Sequence, residues 1–110
     1  MRHKYGEFSG EQIALTKKDI RKQIFFLLLC ADPETKEQYD YVDLNDAFRG
    51  LLYRLGGMNS ILGEPQELVD IISLLEEAQI KYNEPQFNFK VYRRLILNAG
   101  SLTDKIKEVD

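Results

Sequence analysis

The chain has 110 residues, 44% of them hydrophobic and 30% charged, with a net charge of −3. That length suits one domain with its own core and is short for two, and the composition is that of a globular protein. The longest apolar run, Ile24 to Ala31, falls short of the roughly 20 residues a membrane span needs, and no apolar signal core follows the basic start, so a cytoplasmic location is expected.

Residues 1–12 are polar and contain Gly6 and Gly10, which predicts a flexible or extended N-terminal arm leading into a single domain over 13–110. Ile13 and Leu15 are expected to pin the end of the arm. Thr16-Lys17-Lys18-Asp19 has the form of a capping box, with the Thr hydroxyl accepting from the Asp19 amide and the carboxylate reaching back. Ile20, Ile24, Leu27, Leu28 and Ala31 then share one face of a helix. Phe25, Phe26 and Leu29 widen that face. Either this helix is surrounded on most sides, or its excess meets a second copy in a homodimer through helix one. A buried strand over Ile24–Cys30 is the rival assignment, because short apolar runs do not declare their period. Charged residues in helical register ahead of it favour the helix, and Asp32-Pro33 ends it.

An acidic turn or loop is expected over 33–40, after which Asp40 can cap a second helix with Asp43 at its third position. Leu44, Phe48, Leu51, Leu55, Met58 and Leu62 keep one apolar stripe along it. Gly50 and Gly57 lie nearly on one side, which suggests a close backbone approach or a gentle kink; the alternative is a true break at Gly56-Gly57. Gly63-Glu64-Pro65 reads as a helix stop with glycine at C′, then a start with proline at N1.

Leu68, Ile71, Ile72, Leu75, Ala78 and Tyr82 form the stripe of helix three, which Asn83-Glu84-Pro85 closes. Asn88 is placed to cap helix four, with Phe87 and Tyr92 spaced as a hydrophobic staple. Tyr92, Leu95, Ala99, Leu102, Ile106 and Val109 continue its stripe through Gly100 and Ser101. The fold class that follows is all-α: a compact antiparallel bundle of four principal helices with a short polar N-terminal arm. Its expected core comprises Ile24, Leu28, Phe48, Leu51, Leu55, Leu68, Ile72, Leu75, Leu95, Leu102 and Ile106.

Catalytic chemistry is short of parts. His3 is the single histidine and sits in the arm, and Cys30 is the single cysteine, among apolar neighbours where a thiol behaves as a small hydrophobe. Neither a zinc site nor a Cys-His nucleophile assembles from these, and no phosphate-binding glycine loop is present. Asp40, Asp43 and Asp46 recur at helical spacing, but acids near a helix N-terminus need no metal to explain them. No cofactor or metal is expected, and no enzymatic activity.

Two binding surfaces are suggested instead. Arg49, Tyr53 and Arg54 lie behind the helix-two stripe and, with Phe25 and Phe26, are candidates for a protein-recognition surface, although the arginines also suit pairing with acidic helix three. Lys17, Lys18, Arg21 and Lys22 form a basic turn that can join Arg93 and Arg94 if the first and last helices sit side by side. Such a face is the footprint of nucleic-acid binding, against which the net negative charge weighs. The expected function is a small non-enzymatic regulator, adaptor or immunity-type factor that binds another protein, with a nucleic-acid-binding regulator as the alternative.

Overall fold

Hydrophobic spacing of three and four residues becomes helix throughout. The computed structural model describes residues 2–3, 6–7 and 10–106, with side-chain surroundings from Thr16 to Ile106. Helix α1 spans Gly10–Ala31, α2 Leu44–Leu62, α3 Gln66–Tyr82 and α4 Phe89–Leu102, with 3-10 turns at Lys36–Tyr39 and Thr103–Lys105. Near the N-terminus, Arg2–His3 (β1) pairs antiparallel with Gly6–Glu7 (β2). Each helix packs against its chain neighbours, and α4 returns to pack against α1. Cross-contacts fix the antiparallel sense: Arg54 meets Asp19, Asn83 meets Asn45, and the Tyr92 hydroxyl donates to the Leu27 carbonyl at 2.7 Å. The result is a four-helix bundle, all-α as the pattern predicts.

Ile20, Ile24, Leu27 and Ala31 of α1 are buried beside Leu44, Phe48, Leu51, Leu55 and Leu62 of α2. Leu68, Ile71, Leu75 and Ala78 of α3 and Tyr92, Ile96 and Ala99 of α4 complete the centre. The rival strand over 24–30 is thereby excluded, since those residues lie within α1. Leu28, Ile72, Leu95 and Leu102 are only partly buried against the core, whereas expectation placed them inside. Ile96, one residue out of the predicted stripe, is fully buried. Helix four packs on both α1 and α3, so its apolar face is wide and its centre falls between the two series.

Several boundaries also move. Helix α1 begins at Gly10, so Thr16-Asp19 lies inside it and forms no capping box. The residues from Glu11 to Leu15 include good helix formers and no breaker, which lets the helix extend backwards without a cap at Thr16. Ile13, Leu15 and Val109 are among the residues whose side chains lie outside the described part. Asp43, not Asp40, caps α2, its carboxylate accepting from the Asp46 amide at 3.2 Å. Pro65 stands at the cap of α3 rather than its first helical position, its carbonyl accepting from Leu68 and Val69. Helix α4 ends at Leu102 and gives way to a 3-10 turn, so the stripe does not continue as α-helix to Val109.

The glycine reading divides. Gly63 adopts φ 82° and closes α2, as its position predicted. Helix α2 is continuous through Gly56-Gly57, and a Cβ at Gly50, Gly56 or Gly57 would have nothing within 4 Å, so no close backbone approach exists there. G56A/G57A should therefore gain helix propensity without a clash, raising stability by about 1–2 kcal/mol in urea unfolding. A loss of stability would contradict this packing.

Candidate functional site

The N-terminus of α4 shows how local sequence sets the surface. Asn88 accepts from the Lys90 and Val91 amides at 3.0 and 3.4 Å, and the Phe87 and Tyr92 rings stand 5.4 Å apart. Cap and staple together fix the phase of α4. Tyr92 then turns inward, and Lys90, Arg93 and Arg94 turn outward. A surface hollow along this helix is lined by Phe89, Lys90, Arg93, Arg94, Leu97 and Asn98.

Closure of the bundle brings α1 beside α4, and with it the two basic segments. Residues 16–31 hold four cations and one carboxylate, as do residues 88–106. Residues 43–84, which contain α2 and α3, hold eight carboxylates and three cations. Of these, α2 itself holds one carboxylate and two cations, so the bundle is basic along α1 and α4 and acidic along α3 and the turns that flank it. Not every cation of the basic side is free. Lys17 donates to the Asp104 and Ile106 carbonyls at 3.4 and 2.9 Å, and Arg21 pairs with the Asp104 carboxylate at 3.2 Å. These two side chains hold the turn that follows α4, Lys17 through its carbonyls and Arg21 through the Asp104 carboxylate. Arg21 also lies 5.8 Å from the centre of the Phe25 ring.

Lys18, Lys22, Lys90, Arg93, Arg94 and Lys105 are exposed and take part in no ion pair among the described residues. Lys18, Lys22, Phe25 and Leu29 are spaced i, i+4, i+7, i+11 along α1, and Lys90, Arg94, Leu97 and Ser101 repeat that spacing along α4. Each outer stripe thus starts with two cations and continues with one or two apolar residues. Phe25 and Leu97 are half-buried, and Leu29 is 38% exposed.

The expected protein-binding set is split by this arrangement. Phe25 leans towards α4, where its Cζ lies 3.4 Å from the place a Cβ on Gly100 would occupy. Phe26 points to the other side of α1, edge-on to Tyr39 at 5.5 Å. It shares a groove between α1 and α2 with Gln23, Leu27, Asp46, Gly50 and Arg54. Arg54 is held by Asp19 of α1, and Arg49 by Asp46 at 2.6 Å on its own helix, so neither pairs with acidic helix three. Tyr53 stands 86% exposed. Phe26 and Arg54 are thus brought together, while Phe25 belongs to the other side.

Cys30 is half-buried in a hollow with Tyr39, Val42, Leu44 and Tyr82, and desolvation pushes its thiol above the ordinary range. That shift disfavours the thiolate that nucleophilic chemistry requires. Among the described residues no group of three or more His, Cys, Asp or Glu side chains is placed to hold a metal ion, Asp40, Asp43 and Asp46 included. Nor is any described helix long and apolar enough to cross a membrane. Comparison with known proteins returns no matching family model, no matching curated protein and no matching solved structure.

Sequence reasoning passed over Lys90, Leu97 and Lys105 as members of the basic side. The repeated outer spacing on α1 and α4 was the available signal for Lys90 and Leu97, and it does not reach Lys105 in the turn after α4.

Proposed function

We propose that this chain is a non-catalytic protein-binding module, a regulator, adaptor or immunity-type factor, and that its binding face is the basic side of α1 and α4. The observation that supports the reading is the packing of α1 on α4. It gathers Lys18, Lys22, Lys90, Arg93 and Arg94 around partly exposed Phe25, Leu29 and Leu97. Apolar surface bordered by charge is the make-up of a recognition patch, with area for affinity and cations for steering. An acidic protein surface is the complement.

Immobilised wild-type protein and R93E/R94E, matched for helicity by circular dichroism, test this. The reversal should remove at least about nine-tenths of the specifically captured protein, a tenfold weakening being typical when close charge pairs are lost. Identical recovery by both would reject the face. The same cations support a second reading, a nucleic-acid-binding regulator. It requires a duplex or single-strand mobility shift at low salt that weakens steeply as salt rises. No shift at micromolar protein removes it.

The Arg49, Tyr53 and Arg54 surface is the competing protein-binding proposal. R49A/Y53A in the same capture distinguishes it, because this variant leaves the α1–α4 side intact.

A further inference from the structure

Resting on the protein-binding reading, we infer that the partner of the basic face includes a second copy of this chain, docked by its acidic α3 face so that copies associate head to tail. Both halves of the interface are present on one molecule. On α3, Ser73, Glu76, Glu77 and Ile80 lie at spacings of three, four and seven along an exposed stripe, and Ile80 is 63% exposed. Glu76 and Glu77 take part in no ion pair among the described residues. They therefore present two uncompensated carboxylates beside one apolar side chain.

The α1–α4 side presents the reverse arrangement. Because the two helices are antiparallel, Lys18 and Lys22 lie towards one end of the face, with Lys90, Arg93 and Arg94 towards the other. Phe25, Leu29 and Leu97 fall between the two groups of cations. Ile80 fits this apolar band while Glu76 and Glu77 meet the cations beside it. Opposite charge sets the register, and the apolar centre supplies the area.

In the order of packing α3 is the helix that does not neighbour α1. It packs instead on α4, where Ser73 shares a hollow with Asn98 and Ser101; its outer stripe points outward next to the basic side, and one molecule cannot fold that contact back on itself. A face that meets a different face is heterologous: each copy added leaves one basic and one acidic surface unused, and growth continues until the rotation closes a ring. A symmetric dimer through helix one would instead stop at two.

Charge reversal with mixing separates these cases. In sedimentation at low salt, wild-type protein should pass the mass of two copies as concentration rises, and its association should weaken at least about tenfold between roughly 50 and 500 mM salt. R93E/R94E and E76K/E77K should each fail to grow alone. R93E/R94E keeps a working acidic face and E76K/E77K a working basic face, and their reversed faces are complementary to each other, so their equimolar mixture should restore the association that neither variant shows alone. All four positions are exposed, and circular dichroism verifies that both variants stay folded. Wild-type protein that remains monomeric at low salt, or a mixture that does not pair, overturns the inference. So does a wild-type dimer that neither variant disturbs. If wild-type protein is monomeric while R93E/R94E still loses a captured partner, self-docking is wrong and the protein-binding reading stands. If capture is also unchanged, both are wrong.

Discussion

Replacing Phe48 by alanine is expected to lower the unfolding free energy by about 3–5 kcal/mol, the usual cost of deleting a buried aromatic ring. Phe48 is fully buried, stands edge-on to Tyr92 at 6.2 Å, and lies in the α2 stripe where four helices converge. Native domains have only about 5–15 kcal/mol in total, so this one change takes a large share. Urea unfolding should show a lower midpoint with an unchanged slope. A loss below about 1 kcal/mol would mean that Phe48 is not at the centre of the core.

Tyr92 should come next. Its ring is fully buried among Phe48, Tyr82, Phe87 and Phe89, and its hydroxyl ties α4 to the α1 backbone at Leu27. Tyr92→Ala is expected to cost about 3–5 kcal/mol, as for other buried rings. Tyr92→Phe keeps the ring and removes the donor, for about 0.5–1.5 kcal/mol. The two variants also differ in their dependence on pH. Burial, followed by the neighbouring Cys30 and Tyr82, pushes the Tyr92 phenol well above its ordinary range. Unfolding releases it to ionise near pH 10. The stability it contributes as a neutral group is thus fully present below about pH 10 and is lost as pH rises towards the higher folded value. Between about pH 10 and 11.5, stability should fall less steeply in Tyr92→Phe than in wild-type protein. Equal slopes would show that the phenol is not protected from ionisation in the folded state.

Much of the bundle was legible because burial imposes a period. Leu44, Phe48, Leu51, Leu55 and Leu62 are all buried, as their spacing requires, and the Asn88 cap and Phe87–Tyr92 staple form where their positions place them. Errors arose where a local pattern leaves two answers open. The Thr16–Asp19 box is a valid cap only if the residues before it are not helical, and from Gly10 onward they are. The spacing of Gly50 and Gly57 puts them on one side but does not say what lies opposite, which is open space. Leu95 and Ile96 exchange roles because α4 contacts two helices at once.

The candidate site was less legible, since adjacency in space is not written in a helical period. Arg54 finds Asp19 from 35 residues away, and Lys17 finds the Ile106 carbonyl from 89 residues away. The first follows from α1 packing on α2, the second from closure of the bundle by α4 on α1. The same closure withdraws Lys17 and Arg21 from the basic face into the turn after α4 and leaves Lys18, Lys22, Arg93 and Arg94 exposed.

That α1 and α4 act as one binding surface is tested most directly by reversing charge on each helix in turn. Partner capture by K18E/K22E, by R93E/R94E and by R49A/Y53A should be compared with wild type at equal helicity. The first two variants should lose the same partners, and R49A/Y53A should keep them. Retention by both charge-reversed variants together with loss by R49A/Y53A would move the binding surface to α2 and contradict the account.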